Sequence, residues 1–142
     1  MAIRRACVLG IGVIAAAIAA PAASADRAAI QVGPGPVHAS LPQGAQRVSL
    51  RISPNRATTA NAITLQLTRA GKPVRHARVT MAFAMQEMAM ATQSFQLFES
   101  RPGTYSFTGR ALVMGGTWNL AFIVKPVGGT RFTVSVVDRL SP

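Results

Sequence analysis

Short runs of alternating apolar and polar residues constrain this chain more than any other feature. Val48, Leu50 and Ile52 alternate with Ser49, Arg51 and Ser53, and Ile63, Leu65 and Leu67 alternate with Thr64, Gln66 and Thr68. Ala77, Val79, Met81, Phe83 and Met85 share one face of a third run. Phe95 with Leu97 and Tyr105 with Phe107 mark two more. Trp118, Leu120, Phe122 and Val124 form another, and Phe132, Val134 and Val136 the last. A period of two puts successive side chains on opposite faces of a strand, so each run has one face to bury. Pro54-Asn55, Ala70-Gly71-Lys72-Pro73, Pro102-Gly103, Gly115-Gly116 and Gly128-Gly129 separate the runs. These are the residues that tight turns require.

About seven short strands at spacings of roughly 10–15 residues predict an all-β fold, an immunoglobulin-like antiparallel β-sandwich. Each strand would bury alternate residues against the opposing sheet. Trp118 is expected to be the largest core residue, on a strand crossing the centre. The domain is expected over residues 46–138, with a short C-terminal tail at 139–142. Residues 26–45 hold Gly33-Pro34-Gly35-Pro36 and Leu41-Pro42-Gln43-Gly44 and read as an irregular N-terminal arm.

Residues 1–25 read as a signal peptide. Arg4 and Arg5 precede an uncharged stretch from Ala6 to Ala25, and Ala23-Ser24-Ala25 offers small residues for cleavage before Asp26. Cys7 lies ahead of the apolar run rather than at its end, which argues against lipid attachment. The expected location is therefore periplasmic or secreted. The alternative is an uncleaved inner-membrane anchor, since the stretch is barely long enough to span. Cleavage removes Cys7, the one cysteine, so packing alone must hold the exported domain. The whole chain carries 15 Lys and Arg against 4 Asp and Glu, a net charge of +11. Losing Arg4 and Arg5 leaves +9. An anionic surface is the corresponding partner; no nucleic acid is expected outside the cytoplasm, and the aromatic residues read as core rather than as a base-stacking platform.

An ordered set of motifs carries a family resemblance. Gly71-Lys72-Pro73-Val74 leads into a strand that ends in spaced methionines. Gly103-Thr104-Tyr105 follows, then Met114-Gly115-Gly116-Thr117-Trp118-Asn119-Leu120, then Phe132-Thr133-Val134-Ser135-Val136. In this order they resemble the YtkA-like domain, a small exported immunoglobulin-like module, over about residues 46–137. The resemblance implies company with copper-handling and oxidase-assembly systems. It matches Met88 and Met90 to paired methionines, and Met114, Gly116 and Trp118 to a Met-x-Gly-x-Trp segment. No histidine stands between or beside these methionines, where copper-binding proteins of similar fold often add imidazole.

Apart from Met1, every methionine lies between positions 81 and 114. Parity assigns Met81 and Met85 to the core. Gln86-Glu87 breaks the alternation, and Met88 and Met90 then fall on one face of the next extended piece, with side chains about 6.5–7 Å apart at the backbone. Met114, before Gly115-Gly116, is placed to bring a third sulfur. Thioether is a soft, uncharged ligand suited to Cu(I), so Met88, Met90 and Met114 form the candidate metal site. The same residues equally suit an apolar patch that docks a periplasmic protein partner. Glu87 fits either, as an exposed charge or as an outer group near a cation. His38, in the arm, and His76, outward by parity, are expected to face solvent. No nucleophile elbow, phosphate-binding glycine loop or His-Glu-x-x-His motif is present, and no carboxylates pair, so no enzyme is expected and no catalytic residue is assigned.

Overall fold

The computed structural model describes residues 30–142. The segment expected to be a signal peptide, residues 1–25, and the first residues of the arm lie outside this range. The chain forms the expected all-β sandwich, with ten strands rather than about seven: β1 (Ile30–Val32), β2 (Val37–Gln43), β3 (Gln46–Ser53), β4 (Asn61–Arg69), β5 (Lys72–Pro73), β6 (Arg78–Met85), β7 (Gln93–Arg101), β8 (Thr104–Gly109), β9 (Gly116–Lys125) and β10 (Phe132–Leu140). One sheet runs β2-β3-β4-β8 and the other β1-β10-β9-β6, with β5 paired to β4. All pairings are antiparallel except β1 with β10.

Two segments change sheets and close the sandwich at its sides. In β7, Gln93 to Leu97 pair with β6, whereas Phe98, Glu99 and Arg101 pair with β8 across a bulge. On the other side, β1 lies against β10 and β2 against β3, so residues 33–36 pass from one sheet to the other.

The described part of the arm, residues 30–45, is therefore not irregular but largely strand. Val37 and Leu41 are buried with Ala39 half-buried between them, an alternation that the prolines and glycines around it obscured. Pro42 sits on β2 because β2 is an edge strand, where a missing N–H costs no ladder bond. The C-terminal tail is also part of the fold. β10 continues to Leu140, and the Ala57 N–H donates to the Ser141 carbonyl at 2.8 Å.

The core follows the predicted parity. Val48, Leu50, Ile52, Ile63, Leu65 and Leu67 of one sheet face Val79, Met81, Trp118, Phe122 and Val124 of the other, all fully buried. Trp118 is the largest of them, as expected. Aromatic rings link the two sheets in a row: Trp118 to Phe83 at 6.0 Å between centroids, Phe83 stacked on Phe95 at 5.5 Å, and Phe95 stacked on Phe107 at 4.8 Å. Tyr105 donates its hydroxyl proton to the Val74 carbonyl at 2.8 Å and accepts the Ala77 N–H at 2.9 Å, fixing the approach to β6.

One buried polar pair departs from this apolar interior. Asn55, at a φ of 60° that asparagine tolerates, donates its amide to the Gly35 carbonyl at 2.9 Å and to Asp138 Oδ1 at 3.0 Å. It thus ties the crossing arm and β10 to the β3–β4 connection. Both side chains are fully buried, and Asn55 Oδ1 and Asp138 Oδ2 have no partner. Burial pushes the Asp138 carboxyl up from its ordinary value, with the Asn55 hydrogen bond acting weakly the other way. A carboxyl whose folded pKa is raised supports the fold most below its unfolded pKa, and that support is lost as pH rises through the raised folded value. Asp138→Asn keeps the shape and removes the ionisation. Thermal melts from acid to neutral pH should show a flatter pH profile for this variant, with a higher melting temperature than wild type at neutral pH.

Candidate functional site

The candidate methionines gather at one end of the sandwich. There the β6–β7 connection (residues 86–92) and the β8–β9 connection (residues 110–115) meet, because the last residue of β6, Met85, pairs with Trp118 near the start of β9. The two connections are pinned together. The Gln86 N–H donates to the Thr117 carbonyl at 2.8 Å, and the Thr117 N–H is shared by the two Glu87 carboxylate oxygens at 2.9 and 3.0 Å. The Trp118 indole N–H donates to the Met114 carbonyl at 3.0 Å, which anchors the second connection to the largest core residue.

Residues 86–92 are not the extended strand expected from sequence. The reason is local. A continuing β6 would offer a backbone carbonyl to the Thr117 N–H; the Glu87 carboxylate takes that N–H instead, and the ladder stops. Met88 and Met90 consequently do not share a strand face. Met88 is 49% exposed, whereas Met90 is half-buried and packed against the core. Met114, on the neighbouring connection, is 38% exposed. The three candidates are thus brought to one end on two adjoining segments, two facing solvent and one seated inward.

Met85 shifts from its expected place. Met81 is fully buried, but Met85 is half-buried at the loop end of β6. A Cβ built on Gly116 would come within 2.5 Å of the Met85 methyl and 3.2 Å of Glu87 Oε2, so Met85 and Glu87 converge over that glycine. Its thioether joins the same end as the other three. Core parity hid this, because a strand's last inward position is roofed only by whatever its loops supply.

Glu87 has a structural duty. Hydrogen bonding from Thr117, through its side chain first and its N–H after, holds the carboxyl below its ordinary value against the opposing effect of burial, with Arg139 adding a smaller attraction. The clamp is therefore complete at neutral pH and lost only as pH falls through that lowered value. Both oxygens face the Thr117 N–H, which suits a loop clamp better than a ligand.

Neither histidine stands among the methionines. His38 is exposed on the outer side of β2 opposite Arg51. His76 is exposed in the bend before β6, its Nδ1 3.4 Å from Glu99 Oε2 and its backbone N–H donating to the same oxygen at 3.0 Å. Among the described residues no group of three or more His, Cys, Asp or Glu side chains is placed to hold a metal ion. A site at this end would draw chiefly on sulfur, with the Glu87 carboxylate already engaged by Thr117.

The sequence model of the YtkA-like family matches residues 43–122, from the end of β2 through most of β9. The chain belongs to the YtkA-like family. The match takes in the methionine strand, both connections at the candidate end and Trp118, and it stops before β10. No curated protein and no solved structure matches the chain. In this YtkA-like domain, Gly116 is the residue on which the geometry of the candidate end depends. Its φ of 137° lies where L side chains are strained, and its missing side chain leaves room for Met85. Gly116→Ala should cost about 1–3 kcal/mol of stability, read from urea unfolding. A second substitution, Met85→Ala, should relieve only the part of that loss due to the methyl contact.

Proposed function

We propose that this YtkA-like protein is exported and serves as a non-enzymatic copper carrier, binding or delivering Cu(I) through methionine sulfur in copper homeostasis or oxidase assembly. The observation that carries this reading is the gathering of Met88, Met90 and Met114 on two pinned connections at one end of a rigid sandwich, with Met88 and Met114 open to solvent. Uncharged soft donors select Cu(I) over the harder divalent ions that carboxylates and water would attract. Solvent-facing sulfurs suit a carrier, which must release its ion to a partner. Met90, seated against the core, would act as the fixed donor and the two exposed thioethers as the mobile ones.

A metal-free interaction module is the second reading. Val113, next to Met114 on the same connection, is exposed as well, so this end presents apolar side chains to solvent. Methionine surfaces adapt to varied apolar partners without any metal.

Titration of the purified protein with Cu(I) against a competing chelator separates the two. Met88→Leu, Met90→Leu and Met114→Leu retain volume and apolarity but remove sulfur. The copper reading expects each to weaken Cu(I) binding by roughly tenfold or more and to leave docking of an apolar peptide unchanged. Wild-type affinity no greater than that of the triple leucine variant would defeat it. Export has its own test: the intact mass of the protein recovered from the periplasm should correspond to a chain beginning at Asp26.

A further inference from the structure

Positive charge collects at the end of the sandwich opposite the methionines. The connections β2–β3, β4–β5, β5–β6, β7–β8 and β9–β10 all lie there, because the strands they join run from this end toward the methionines. Twelve Lys and Arg fall within residues 30–142, and eight of them stand in these connections or within two residues of one. Arg69, Lys72, Arg75 and Arg78 follow one another from β4 to β6. Arg47, Arg101, Lys125 and Arg131 join them from the other connections, and all eight are exposed.

The register of the strands sharpens this asymmetry. In one sheet Arg78 is directly opposite Lys125, and in the other Arg69 is directly opposite Lys72. Like charges directly opposed on neighbouring strands destabilise a sheet. Glu99 is the one described carboxylate at this end; Arg75 lies within its field, and its oxygens accept the Gly103 and His76 N–H groups. Among the described residues the one ion pair is His76 with Glu99, so neither opposed pair is offset by a carboxylate. Both sheets thus carry an electrostatic cost at the same end, one that an external anionic surface would remove. Amid these cations stands Val127, 75% exposed and the most exposed large apolar side chain described. It sits in the turn Pro126-Val127-Gly128-Gly129, with Lys125 and Arg131 on either side.

Charge and apolarity together select the occupant. The cations are spread over five connections and both sheets, which suits an extended anionic field better than a single ion in a cleft. An acidic polysaccharide would meet the charge but leave Val127 in water. A bilayer meets both, because phospholipid headgroups supply the anions and the acyl boundary just below them takes an apolar tip. We propose that this end of the protein docks on an anionic phospholipid surface, with the cations among the headgroups and Val127 entering the interface between Lys125 and Arg131. Docked in this way, the sandwich points its methionine end away from the bilayer and into solution. The proposal does not depend on the copper reading, because the two ends are separate surfaces.

The test is co-sedimentation of the protein recovered from the periplasm with vesicles of phosphatidylcholine alone or mixed equally with phosphatidylglycerol. The mixed vesicles should bind the protein, less so as salt is added, and phosphatidylcholine alone should not. The double variant Arg78→Gln with Lys125→Gln should bind the mixed vesicles roughly twentyfold more weakly, about fivefold for each charge removed. It should melt no lower than wild type, since it removes an opposed like-charge pair. Arg56→Gln with Arg110→Gln removes the same charge from the methionine end, a strand length or about 30 Å away and several Debye lengths from the surface, and should change binding by no more than about twofold. Val127→Ser should weaken binding several-fold, and the indole fluorescence of Val127→Trp should shift to the blue on mixed vesicles, read against a wild type whose Trp118 is already buried. All variants share one N-terminus, so differences among them report the folded domain. Equal losses in the two double variants, equal binding to both kinds of vesicle, an unshifted Val127→Trp spectrum, or binding of soluble polygalacturonate without binding of vesicles would overturn the proposal.

Discussion

The row of rings from Trp118 through Phe83 and Phe95 to Phe107 is the contact on which the rest of the architecture leans. It begins on the central strand of one sheet and finishes on β8 of the other. Stacked rings gain beyond their buried area and tolerate little sliding, so the row sets the relation of the two sheets at the side where β7 crosses. Trp118 reaches further, since its indole N–H holds the Met114 carbonyl. Core packing and the position of the candidate sulfurs are thus parts of one arrangement.

The two ends of the sandwich differ because their turns are built differently. At the methionine end, a carboxylate and an indole pin two connections to the strand ends, and thioethers are left to face solvent. At the other end, glycine turns leave backbone open around unpaired arginines. A positive protein usually spreads its charge, but most of the described cations here stand at that end. The described carboxylates, few as they are, serve as internal hydrogen-bonding groups rather than as a counter-charge.

Much of this fold was legible in the sequence, for a plain reason. Where one face of a strand is buried and the other is wet, the period-two pattern records the burial directly, and residues 48–52, 63–67 and 118–124 show it. The arm was harder. Val37, Ala39 and Leu41 alternate as clearly, but three residues are a short signal beside Pro34, Pro36 and Pro42. The Glu87 clamp lay beyond any local pattern, since its partner Thr117 is 30 residues away. The same holds for Asn55 and Asp138, 83 residues apart; the inward parity that Asp138 shares with Val134 and Val136 is the one local sign of it, and it was not read. Period two sorted the methionines correctly at Met81 and only partly at Met85, because parity says which face a residue takes and not what covers it. The positions of Met88, Met90 and Met114 depend on how loops meet, and the sequence pattern names their residues without fixing that meeting.

The pairing of β1 with β10 has a kinetic consequence. The first described strand lies parallel to the last, Ile30 beside Val136 and Val32 beside Asp138. A nascent chain still missing its final segment has no surface on which β1 can dock and no Asp138 for Asn55 to hold. Closure of the arm must therefore await β10, and long-range pairings of this kind form slowly. Until then this side of the sandwich stays open, with Asn55 and the apolar residues of the arm lacking the strand they pack against.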